Sequence, residues 1–92
     1  MSPRSNLQKL RKQVEKLDEN LITLLSKRLS FTKEIQKIKK ELKMPINQKM
    51  REKELIASYL NLAKAKKLPL TPLKRIFRGI FQYSKKSGII NR

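Results

Sequence analysis

The sequence predicts an all-α chain of three helices, the first much longer than the others. Three observations carry this. Apolar residues recur at alternating three- and four-residue steps, at Leu7, Leu10, Val14, Leu17, Leu21 and Leu24, then at Phe31, Ile35, Ile38 and Leu42. No glycine or proline interrupts that run, and the 92 residues hold two glycines in all. Two proline-containing stretches, "KMPIN" and "LPLTP", divide the rest of the chain into two shorter segments.

The first helix is expected to be capped by Asn6 or Ser5 and to end before Pro45. The second is expected from Asn47, as cap, to about Lys67, with Leu55, Ile56, Tyr59, Leu60 and Ala63 on its apolar face. Thr71 before Pro72 is a start signal for the third, because proline suits the first helical turn. Leu73, Ile76, Phe77, Ile80 and Phe81 form its apolar face, and Gly88 is expected to end it. A single domain over residues 1–92 is expected, with 1–5 and 89–92 as flexible tails.

Composition narrows the function. The 24 Lys and Arg outnumber the 7 Asp and Glu, for a net charge of +17. Such a field attracts anions, whether nucleic acid, an acidic membrane surface or a small polyanion. Histidine and cysteine are absent, so thiol nucleophiles, histidine bases and the usual zinc sites are excluded. The N-terminal residues carry no apolar run of the signal-peptide kind, and no stretch suits a membrane span. A cytoplasmic protein without metal or membrane partner is expected. Nucleic-acid binding rests on the charge alone: aromatics are few, no recognition motif stands out, and lysines are scattered over all three helices.

The long helix poses a packing problem. About 37 helical residues span roughly 55 Å, against a radius of gyration of ~12 Å for a compact chain of this size. Two shorter helices cannot cover the whole seam. A homodimer, with first helices paired across a two-fold axis, is the simplest solution. A bent first helix in a monomeric bundle competes with it, although nothing between residues 7 and 42 marks a break.

The seam lacks an apolar residue at one place, Arg28. Alone, a cation there can serve to fix register or oligomeric state. Arg11 and Lys39 lie 28 residues apart, four heptads, on one edge of the seam; their ordinary reading is as snorkelling side chains. Glu52 and Gln48 share the apolar face of the second helix, and Ser84 lies on that of the third. Glu52 can equally neutralise a lysine or favour a first helical turn. Geometry adds a further reading. Arg28 and Lys39 are about 16 Å apart along the axis, so their side chains can converge on a ligand between them. Arg11 is ~25 Å from Arg28 on the same helix and cannot reach it. In an antiparallel pair of first helices centred near residue 25, however, Arg11 of one chain falls opposite Lys39 of the other. Three cations then converge at each of two equivalent sites, as a dicarboxylate pocket would require.

These residues resemble a family, the all-helical chorismate mutases. The resemblance covers about residues 7 to 85. It is carried by "LRKQVEKLDENLITLLSKR", "IQKIKK", "PINQKMREKELI" and "IFQYS", and most specifically by Leu17-Asp18, Arg28, Lys39 and Arg51-Glu52. It implies an intertwined homodimer that rearranges chorismate to prephenate, on the route to phenylalanine and tyrosine, without a cofactor. It also implies roles. Arg28 and Arg11 of the partner subunit would hold the substrate carboxylates, and Lys39 a carboxylate and the ether oxygen. Glu52 would accept from the ring hydroxyl and Ser84 would bond a carboxylate, while Arg51 would support the site and Asp18 the fold. Two positions depart from the pattern. Gln48 stands where aspartate is common. Gly88 stands where glutamine or glutamate normally donates to the ether oxygen, which implies reduced activity unless Ser87 or Asn91 substitutes. A non-catalytic chorismate-binding or regulatory relative, and an isochorismate pyruvate lyase on the same scaffold, are the alternative functions.

Overall fold

A computed structural model of the chain describes residues 2–44 and 49–89. They form three helices, α1 (Pro3–Glu41), α2 (Lys49–Ala65) and α3 (Leu70–Ile89), and no strand occurs among the described residues. The all-α class and the three helices agree with the sequence. Pro45, Asn47 and Gln48 lie outside the described residues.

The start of α1 differs from expectation. Neither Asn6 nor Ser5 is the cap. The Ser2 hydroxyl accepts from the backbone N–H of Ser5 at 3.1 Å, and the N–H of Asn6 reaches the Ser2 carbonyl at 3.1 Å. Pro3 therefore occupies the first helical position, where its missing N–H costs nothing. Further along, the Thr23 hydroxyl donates to the Glu19 carbonyl at 3.1 Å, so this polar residue beside the seam is satisfied within its own helix.

Both α1 and α2 end by the same device. Lys43 and Lys67 have φ of 58°, a left-handed conformation that lysine seldom takes. After α1, Met44 N–H donates to Lys39 O at 2.8 Å and Lys43 N–H to Lys40 O at 3.2 Å. After α2, Leu68 N–H donates to Ala63 O at 2.9 Å and Lys67 N–H to Lys64 O at 3.1 Å. These are paired Schellman closures, with lysine where glycine is usual. The second helix thus stops at Ala65, two residues before the expected end. The third begins at Leu70, one residue before the expected cap, and continues through Gly88 to Ile89, so Gly88 does not end it.

The chain divides into two compact units, Met1–Phe31 and Thr32–Arg92. The first is a single stretch of helix. Its seam lies open to solvent, with Leu10, Val14, Leu17, Leu21 and Leu24 all exposed and Leu17 at 61%. In the second, α2 packs on α3. The Tyr59 and Phe77 rings meet at 4.7 Å between centroids, and Phe77 and Phe81 at 6.2 Å, both tilted. That geometry suits aromatic quadrupoles. Ala63 (2% exposed) and Phe81 (5%) are the buried hydrophobic side chains among the described residues.

Candidate active site

The second unit draws several predicted site residues together. On α3, Phe77, Phe81, Ser84 and Lys85 succeed one another at helical spacing, so the face that buries Phe81 also carries the polar pair. Ser84 is 7% exposed. Its carbonyl accepts from Gln36 Nε2 at 3.4 Å, a bond from the last turns of α1 to α3. Lys39 lies three residues beyond Gln36, on a neighbouring position of the same helix surface, and is half-buried.

Glu52 sits in the first turn of α2, where a carboxylate is favoured by the helix dipole. The Lys85 ammonium lies 3.0 Å from its Oε2 and 3.3 Å from its Oε1. The two side chains are 26% and 28% exposed, so this pair is partly shielded from solvent. It joins the start of α2 to α3 next to Ser84. Neutralisation by a lysine, the simplest expectation for Glu52, is what the structure shows, although the lysine is 33 residues away in sequence.

Arg28 is half-buried and Arg11 exposed, both in the unit that ends at Phe31. Arg51 is exposed and faces Glu54 on its own helix at 3.7 Å, a solvent-screened pair of little energetic weight. Asp18 is exposed on α1. Gly88 lies within α3, as does the backbone of Ser87, whose side chain is outside the described residues together with Gln48 and Asn91. No described helix is long and apolar enough to cross a membrane.

Two residues of these contacts, Lys85 and Gln36, are not among the expected site residues. Both sit beside residues that are: Lys85 is next to Ser84, and Gln36 precedes Lys39 by one helical step. What hid Lys85 was the abundance of lysine, since one cation among 24 carries no signal without its partner's position.

The chain is similar in sequence to known proteins. A 79-residue match to chorismate mutase of Methanocaldococcus jannaschii, at 28% identity, covers 86% of this chain and 80% of that protein. A bifunctional chorismate mutase/prephenate dehydratase of Aquifex aeolicus is 36% identical over 58 residues, which are 63% of this chain but only 16% of that protein. The family model for chorismate mutase type II matches residues 10–88, a span that contains Arg11, Arg28, Lys39, Glu52 and Ser84. The chain therefore belongs to the chorismate mutase type II family.

Proposed function

We propose that this protein is a chorismate mutase, an isomerase that converts chorismate to prephenate and so serves phenylalanine and tyrosine synthesis. The observation that carries the reading is the family match over residues 10–88, with every cation of the proposed site inside it. In this rearrangement one ether C–O bond breaks as one C–C bond forms. No covalent intermediate, net proton transfer or cofactor is required. A chain without histidine or cysteine is equipped for it.

The protein's task is to hold a dianion in a compact, reactive conformer. Arg28 and Arg11 of the partner subunit grip the two carboxylates. Lys39 contacts a carboxylate and the ether oxygen, where negative charge grows as the bond breaks; a fixed ammonium there favours the transition state over the substrate. Glu52 accepts from the ring hydroxyl, and Ser84 and Gln48 add hydrogen bonds. The site needs two chains because Arg11 and Arg28 stand too far apart on one helix. The open seam of α1 supports the dimer, since Leu10, Val14, Leu17, Leu21 and Leu24 have no cover of their own. The partner helix would supply it, as an intertwined, antiparallel pair.

The test is turnover. Purified protein is expected to consume chorismate, monitored by loss of its absorbance, with prephenate as the product. Lys39→Ala is expected to lower kcat by at least about a hundredfold while leaving the circular dichroism spectrum unchanged. A wild-type protein with no activity above background would remove the reading. An active Lys39→Ala variant would remove the assigned electrostatic role.

A further inference from the structure

Glu52 presents an electrostatic problem for the proposed site. A carboxylate that accepts a hydroxyl from a dianionic substrate must lie close to that substrate, and like charges at such range repel. The second unit contains the remedy. The Lys85 ammonium spans both carboxylate oxygens, at 3.0 and 3.3 Å, in a partly shielded contact between α2 and α3. Arg51–Glu54, at 3.7 Å and open to water, has neither the contact nor the shielding. Seven acids face 24 cations in this chain, so the mere presence of a lysine near an acid means little; the two-oxygen contact and the burial are what distinguish this pair.

We propose that Lys85 is a positioning and specificity residue for the mutase site, resting on the mutase reading above. It cancels the Glu52 charge, so that a dianion can bind beside it, and it fixes the plane of the carboxylate. An ionised carboxylate offers about four lone-pair positions, and one ammonium leaves acceptor capacity for the substrate hydroxyl. The contact also ties the first turn of α2 to the part of α3 that carries Ser84, so two groups of the site share one anchor. Lys85 itself does not touch the reacting atoms. Its effect falls on the binding of the anion, equally in the ground and transition states, and therefore on KM.

The experiment uses the full chain, with chorismate as substrate. Lys85→Met is expected to raise KM by about tenfold while kcat stays within about threefold of wild type. Lys85→Arg retains the charge and is expected to restore KM to within about threefold. The decisive arm is the double variant. Glu52→Gln removes the charge that Lys85 offsets, so the double variant, again neutral at this pair, should bring KM back from the Lys85→Met value to within about threefold of wild type. Circular dichroism and thermal unfolding establish that each variant is folded; should Lys85→Met fail to fold, Lys85→Gln takes its place with the same expected values. An unchanged KM in the folded Lys85 variant overturns the proposal. So does a tenfold rise that persists undiminished on the Glu52→Gln background. A wild-type chain that turns over no chorismate overturns the mutase reading and this inference together, whereas active wild type with a KM indifferent to Lys85 overturns this inference alone.

Discussion

The backbone N–H of Met44 donates to the carbonyl of Lys39 at 2.8 Å, so the proposed electrostatic catalyst stands at the base of the turn that closes α1. Its backbone is held by a hydrogen bond from beyond the helix as well as by those within it. That closure depends on Lys43 at φ 58°, where a side chain is strained.

The strain at Lys43 and its counterpart Lys67 is measurable. A left-handed residue with a Cβ costs about 1–2 kcal/mol, whereas glycine's extra freedom in the unfolded chain costs about 0.5–1 kcal/mol. The first term is larger. Lys43→Gly and Lys67→Gly are each expected to stabilise the protein by about 0.5–1 kcal/mol in urea unfolding. Destabilisation by both variants would contradict the proposed strain. Lys67→Gly should leave kcat unchanged, since it acts at the end of α2 rather than beside Lys39.

The seam of α1 predicts its own disruption. Leu21 and Leu24 are exposed in the single chain, so replacing them by glutamine costs that chain little. In the proposed dimer each leucine is buried, at about 1.5–3 kcal/mol per side chain. Leu21→Gln/Leu24→Gln is therefore expected to sediment as a monomer and to lose turnover with it. A double variant that remains dimeric would place the interface elsewhere.

A site shared between chains predicts complementation. Arg11→Ala and Arg28→Ala should each be inactive alone, because either loses a carboxylate ligand at both sites. After exchange of chains, a mixed dimer holds one intact site and one doubly impaired site. Activity approaching one quarter of wild type, about half the dimers with half their sites, is expected in an equal mixture. With one variant isotopically labelled, so that mixed dimers can be identified by mass, a verified exchange without recovery would exclude the antiparallel arrangement of Arg11 and Arg28.

Gly88 predicts a gain. Since α3 continues through it, position 88 carries a helical backbone and needs no glycine for a turn. On the proposed mutase reading, Gly88→Gln would supply a donor for the ether oxygen, and it also removes a poor helix former. Losing such a donor costs about a hundred- to a thousand-fold in related chemistry, so kcat is expected to rise by at least about tenfold. An unchanged kcat would show that this chain's site does not use that position.

Much of the fold is legible in the sequence because it is periodic. The three-four spacing from Leu7 to Leu42 identifies α1, and the apolar spacing around Phe77 and Phe81 identifies α3. The ends are less legible. Ser2-Pro3 carries the same start signal as Thr71-Pro72, but it lies ahead of the first apolar residue, where periodicity offers no guide. The left-handed lysines at 43 and 67 replace the glycines by which such closures are recognised, so two helix ends carry no composition signal. At the candidate site, Glu52 and Ser84 stand out as polar residues on apolar faces, and both are at least half-buried. The Lys85 contact is hidden, because a pairing between residues 33 apart depends on how α2 meets α3 and not on local spacing.

The open stripe along the first unit has a consequence for the protein in solution. With Ala63 and Phe81 as the buried apolar side chains among the described residues, the interior of one chain has little with which to resist unfolding. If the remaining apolar contact comes from a second copy, folding is a two-body reaction. Dilution then acts as a denaturant, and the melting temperature rises with the quantity of protein in the tube.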